Sequence, residues 1–181
     1  MHGLIFASLN DYCRERVGGE ATREIFEGRM YTITEAHPDE ELARLLTRAA
    51  PVLGLEGDEL LRDFGAFTAE KTFTRLYPSF FALAGDTRSF LLTIEDLIHE
   101  LVRATIPNAE PPALKIRPAG ADACEIEYTS PRRLCRLLEG LVVGTARHYG
   151  EAVEVVEVSC MHTGAPACRF KASLVRAWAD V

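Results

Sequence analysis

Three groups of residues in this sequence have types and spacings that can do chemistry: His99, the run Tyr128-Thr129-Ser130-Pro131-Arg132, and the cysteines Cys135, Cys160 and Cys168. His99 lies within apolar helical turns, with Leu92 and Val102 on its side and Glu95, Asp96 and Arg103 nearby. A single imidazole offered from such a helix is a common axial ligand of haem iron; it is also what an ordinary boundary histidine satisfied by one hydrogen bond looks like. Tyr128, Ser130 and Arg132 stand where a strand gives way to a helix N-terminus. Two hydroxyls, a guanidinium and free helix N–H groups can converge there on an anion. Arginine's fork matches a carboxylate in two parallel hydrogen bonds. The alternative is a plain strand-to-helix turn with a capping serine and an exposed arginine.

The elements that must position these groups follow from hydrophobic periodicity. Helical spacing runs from Gly3 to Arg16 and stops at Gly18-Gly19, and a short second helix is expected from Ala21 towards Gly28. Pro38-Asp39-Glu40-Glu41 starts a helix that continues to Gly54; Asp58 is placed to cap the next, with Leu60, Leu61, Phe64 and Phe67 on its buried face. Apolar spacing resumes at Phe73, Leu76, Phe80 and Phe81, and the longest uninterrupted helix pattern, from Ser89 to Ala104, carries His99 and ends before Pro107. After Pro111-Pro112 the period changes to two, predicting strands at Lys115 to Arg117 and Cys124 to Tyr128. Ser130-Pro131 then reads as a capped helix start running to about Tyr149, followed by strands at Val153 to Cys160 and Cys168 to Leu174. Helices first and a small set of strands afterwards define the α+β class: an N-terminal helical lobe over 1–62, a lobe of helices and a small antiparallel sheet over 63–181, and one domain over 1–181.

The composition narrows the functions. The 181 residues are 48% hydrophobic and 26% charged, enough apolar material for a core with a cavity. Twenty Lys and Arg against twenty-seven Asp and Glu give a formal charge of −7 with no basic stripe, which argues against nucleic-acid binding. No apolar run approaches the roughly 18 residues of a membrane span, and the opening residues lack the basic region of a signal peptide. A cytoplasmic protein without a membrane segment is expected. Five cysteines in a reducing compartment point away from disulfides and towards metal binding or buried thiols.

Taken together, these features resemble the haem nitric oxide/oxygen binding (H-NOX) family, whose domain also occurs in soluble guanylate cyclase. The likeness is carried by Met1 to Phe6, His37 to Glu41, Leu60 to Gly65, Tyr77 to Phe81, the helix bearing His99, the Pro-x-Ala-x-Pro-Pro run from Pro107 to Pro112, and the Tyr-x-Ser-x-Arg signature at Tyr128, Ser130 and Arg132. The resemblance implies haem b, with His99 as proximal ligand and Tyr128, Ser130 and Arg132 on the propionates. It implies that Pro112 presses on the macrocycle and, with Ile5 on the other face, keeps it out of plane. The position of the tyrosine that holds dioxygen in oxygen-binding members is matched by Leu137, and that of a second distal aromatic donor by Leu9. Ile5, Phe73 and Leu141 complete an apolar pocket. A nitric oxide sensor that also binds carbon monoxide and excludes oxygen follows, because bound dioxygen gains from a donor that the other two ligands do not need.

In this family nitric oxide weakens or breaks the iron bond to the proximal histidine, the haem flattens, and one lobe shifts against the other. The output is a conformational change rather than catalysis. A standalone bacterial-type domain would pass it to a separate signalling partner, a histidine kinase or a cyclic-dinucleotide enzyme. Some bacterial members also hold a structural zinc with three cysteines and one further ligand. Cys135, Cys160 and Cys168 match the cysteines, and Glu157 stands at the fourth position; His162, two residues from Cys160, is its rival, and three buried thiols are the other reading. Cys13 and Cys124 are expected to be structural, His2 and His148 to lie on the surface, and His37 to flank a helix cap. Three alternatives remain from the residues alone: an enzyme with a reactive thiol or imidazole, a haem-free domain clamping another acidic apolar effector, and a redox or zinc thiol sensor.

Overall fold

The computed structural model describes residues 1–105 and 110–175. The α1 segment, Gly3–Ile25, consists of two helical stretches that meet at Gly18, whose φ of 80° and ψ of 172° are not helical. The helix from Gly3 therefore stops at Gly18 as its spacing predicts, and a second helical stretch follows in which Thr22 donates its hydroxyl to the Gly18 carbonyl, 2.7 Å away. His2 is not a surface residue: it is half-buried and its Nδ1 accepts the Leu4 N–H, capping α1. Helix α2, Asp39–Leu53, begins with three acids in its first turn and ends on Gly54 in the left-handed region. In α3, Gly57–Phe67, Asp58 lies inside the first turn and makes no cap bond. Its carboxylate pairs instead with Nε of Arg136, 3.2 Å away.

A π-helical turn over residues 68–73 leads into α4, Thr74–Leu76, and then α5, Pro78–Leu83. Helix α6, Thr87–Thr93, starts where Asp86 accepts the Ser89 N–H at 2.6 Å. The long helix expected from Ser89 is interrupted by a second π-helical turn, residues 94–99, before α7, Glu100–Thr105. His99 closes that turn. Pro107 lies outside the described residues.

Strands β1 (Ala113–Pro118), β2 (Ala123–Thr129), β3 (Ala152–Ser159) and β4 (Cys168–Val175) form one antiparallel sheet in the order β1-β2-β4-β3. Between β2 and β3 runs α8, Cys135–His148, which begins four residues later than Ser130-Pro131 predicts. The reason is local. Ser130 Oγ accepts the Arg132 N–H at 3.3 Å, Arg133 takes a φ of 50°, and no helix propagates through a left-handed residue.

The helical lobe and the sheet are joined by α3 and α8, whose backbones touch. A Cβ added at Gly140 would lie 2.1 Å from the Arg62 carbonyl oxygen, and one at Gly144 would lie 2.1 Å from that of Ala66. With no side chains between them, the helices approach closely enough for α8 to serve two cores. Leu137 joins Phe6, Leu9, Tyr12, Phe64 and Phe67 in the first, while Leu138 and Val142 join Ile126, Tyr128 and Phe170 in the second.

Candidate functional site

Between the two cores lies a cavity of about 390 Å³, within the range of about 300–1,000 Å³ typical of small-molecule sites. Ile5 of α1, Phe73 of the first π-helical turn, Pro112 before β1, and Leu137 and Leu141 of α8 give it apolar walls. His99, Tyr128, Ser130 and Arg132 supply polar groups, and His2 also lines it. Leu9 does not line it; it packs in the first core.

The π-helical turn presents His99 at the wall. Its Nδ1 lies 2.8 Å from Oε2 of Glu95, one turn back on the same side. A carboxylate only accepts, so Nδ1 carries the proton and Nε2 is the nitrogen with a free lone pair. Burial lowers the pKa of His99 while Glu95 pulls it the other way, and the net shift is downwards; the imidazole is neutral at neutral pH, the form that can bind a metal. Glu95 also accepts the Leu114 N–H at 3.1 Å and a bond from Arg103. Burial pushes its carboxyl up, but the bonds from Arg103, His99 and Leu114 outweigh that and hold it below the usual range.

The rim is built from the β2–α8 junction. The Tyr128 hydroxyl oxygen accepts the Leu134 N–H at 3.0 Å. Burial pushes the phenol pKa up against bonds from Ser130 and Leu134, so Tyr128 remains a protonated donor. Arg132 donates through Nε to Asp39 Oδ2 at 2.8 Å and through Nη1 to the Glu110 carbonyl at 2.7 Å. Its guanidinium thus has carboxylate company from α2. Burial raises the Asp39 carboxyl, but the N-terminal amine and Arg132 outweigh it and hold the group below its ordinary value.

A second cluster lies beneath the sheet. The sulfurs of Cys135, Cys160 and Cys168 are all buried and within 4.8 Å of one another. Burial, then the neighbouring thiols, push Cys135 up to about 12. Neither candidate fourth ligand is seated with them: Glu157 pairs with Nη1 of Arg136 at 3.0 Å, and His162 Nε2 lies 2.9 Å from the Arg133 carbonyl oxygen.

The donor set suits a flat apolar group that carries acids on one edge and needs one axial nitrogen, and haem meets that description. Sequence reasoning brought together every lining residue it named except Leu9, and placed Glu95 only in the vicinity of His99. The four-residue interval from Glu95 to His99 is the signal that marks their pairing. Asp39 carries no such signal, since 93 residues separate it from Arg132.

A helical lobe and a small sheet enclose an apolar cavity lined by His99 and His2 and rimmed by donors, an arrangement able to bind a ligand. The chain belongs to the haem-NO-binding (H-NOX) family, whose profile matches residues 2–157. The H-NOX protein from S. oneidensis in the Fe(II)NO ligation state is 26% identical over 97% of this chain and 100% of that one, with a TM-score of 0.89. A mutant of the S. oneidensis protein in the Fe(II) state is 27% identical, covering 99% and 98%, at a TM-score of 0.91. The Shewanella oneidensis H-NOX domain in the Fe(II)CO state is 26% identical over 98% and 100%, at 0.89. No curated protein matches the chain. Among the described residues no helix is long and apolar enough to cross a membrane.

Proposed function

We propose that this chain is a haem-based nitric oxide sensor that also takes carbon monoxide, excludes oxygen and signals by changing shape. The observation that carries the reading is His99, whose Nδ1 is held by Glu95 and whose ring opens on an apolar cavity between two cores. In this reading His99 would bind the iron of haem b, Tyr128, Ser130 and Arg132 would hold its propionates, and Pro112 and Ile5 would pack against the macrocycle. When bound, the haem supplies a ferrous iron with one open coordination position for a diatomic gas.

The chain's own side chains decide which gas stays. Leu137, Leu141, Ile5 and Phe73 offer no donor, and the Thr145 hydroxyl in the same wall already donates to the Leu141 carbonyl at 2.8 Å. On these side chains dioxygen, which carries partial negative charge when bound, finds no donor, and nitric oxide and carbon monoxide need none; His2, which also lines the cavity, keeps an Nε2 without a hydrogen-bond partner.

The signal is a displacement of the lobe over 1–62 against that over 63–181, and it is read by a separate cytoplasmic partner, a histidine kinase or a cyclic-dinucleotide enzyme. The domain itself performs no catalysis. Cys135, Cys160 and Cys168 are read as zinc ligands, supported by three sulfurs at mutual ligand distance. Absorption spectra of the purified protein under argon, air and nitric oxide test the main reading. A Soret band that shifts with nitric oxide and is unmoved by air is expected; a stable oxy spectrum overturns the selectivity, and a colourless protein after hemin addition overturns the haem. His99→Gly should lose the axial bond and recover it with added imidazole.

A further inference from the structure

Glu95 joins three separate parts of the fold through one carboxylate. Oε2 receives Nδ1–H of His99 at 2.8 Å and the backbone N–H of Leu114, at the start of β1, at 3.1 Å. Oε1 receives Arg103 of α7. Three donors restrain the carboxylate, and its bond to Nδ1 in turn orients the imidazole. Glu95 and His99 both belong to the second π-helical turn, four residues apart, and the start of β1 reaches the same carboxylate.

A carboxylate that accepts the Nδ1 proton adds electron density to the ring and makes Nε2 a stronger donor, whereas a backbone carbonyl or water in that position does so weakly. We infer that Glu95 is a positioning residue that sets the donor strength of His99, and that Arg103 tempers it by drawing charge to the other carboxylate oxygen. This rests on the haem reading given above. A stronger axial donor favours the ferric over the ferrous state and makes the axial bond harder for nitric oxide to break. Glu95 therefore acts as a specificity-determining group for the sensor, setting the fraction of nitric-oxide-bound protein that keeps its His99 bond.

The test compares wild-type protein, Glu95→Gln and Arg103→Met, each loaded with haem. The readouts are the ferrous iron–imidazole stretching frequency by resonance Raman, the midpoint potential, and the proportion of six-coordinate nitrosyl species. Glu95→Gln keeps an acceptor oxygen without its charge, so the frequency should fall and the six-coordinate fraction should shrink. The ferric preference should drop about tenfold, a rise of about 59 mV for one electron. Arg103→Met should move all three in the opposite direction. A merely structural role would lower the melting temperature or haem content of Glu95→Gln and leave the frequency and potential of the loaded fraction unchanged; that result overturns the inference. Should Glu95→Gln fail to fold, Arg103→Met decides alone, because it leaves the Glu95–His99 bond in place. A wild-type protein with no Soret band overturns the haem reading itself, whereas a normal Soret band with unmoved frequencies in both variants overturns only the role of Glu95.

Discussion

The carboxylate of Asp39 at the start of α2 lies 2.8 Å from Nε of Arg132 in the turn between β2 and α8, and its other oxygen receives the Met1 amine at 2.6 Å. The first turn of the helical lobe is thereby tied to the rim of the cavity. Whatever shifts Arg132 must shift α2 or break this bond.

The tie is acid-sensitive. A carboxyl held below its ordinary 3.8 contributes stability that is fully present above that value and is lost as pH falls through the lowered one. Thermal melts of the wild type should drop more steeply below about pH 4 than those of Asp39→Asn, which should be less stable at pH 7 and converge with the wild type in acid. Parallel melting curves from pH 7 to pH 3 would disprove the assignment.

Removing the guanidinium should loosen the cofactor proposed for the cavity. Charge-assisted hydrogen bonds contribute about 1.5–3 kcal/mol, so Arg132→Ala should release haem to a scavenger protein between about 10-fold and 150-fold faster. Arg132→Lys should fall between the two, since an ammonium cannot make the forked contact. Equal release rates in all three proteins would remove Arg132 from the rim.

Leu137 is buried in the wall of the cavity. Leu137→Tyr introduces a donor at a position of the wall that has none, and the ferrous variant should show an oxy spectrum in air that the wild type does not. The extra volume should cost about 1–3 kcal/mol in denaturant unfolding. A variant that folds and still refuses oxygen would show that a donor alone does not set selectivity.

Close approach of α3 and α8 rests on missing side chains. Gly144→Ala places a methyl group 2.1 Å from the Ala66 carbonyl oxygen, which is backbone and cannot swing aside. Loss of about 1–3 kcal/mol or more is expected, read as a lower denaturant midpoint. Gly150→Ala, which meets nothing within 4 Å but takes a φ of 70°, should cost only about 1 kcal/mol of backbone strain.

Zinc, if held by the three thiols, must displace their protons. Burial pushes Cys135 up to about 12, so zinc affinity should rise with pH. Elemental analysis should find one zinc per chain in the wild type and none in Cys168→Ala; a metal-free wild type purified with zinc present would leave three buried thiols.

Much of the site was legible in the sequence because it is written locally. Period 3.6 and period 2 mark the helices and strands, the apolar turns around His99 mark its helix, and Tyr128, Ser130 and Arg132 fall within five residues of one another at a strand end. Where local signals met a competing local geometry, the reading slipped. Ser130-Pro131 looks like a helix start, but the left-handed Arg133 delays α8 to Cys135. The helix read as uninterrupted from Ser89 carries a π-helical turn that no apolar spacing announces.

Residue types and spacing pointed to the α+β class, the candidate imidazole and the rim donors, and the family resemblance supplied the apolar lining. Only the tertiary structure decided that Asp39 shares Arg132, that Leu114 and Arg103 fasten Glu95, that Leu9 belongs to a core rather than the cavity wall, and that Glu157 and His162 stand with other partners. Periodicity records which face of an element is apolar. It holds no record of which two faces meet, because contacts between residues far apart in sequence depend on helix crossings, bends and backbone approaches that exist only after the chain has packed.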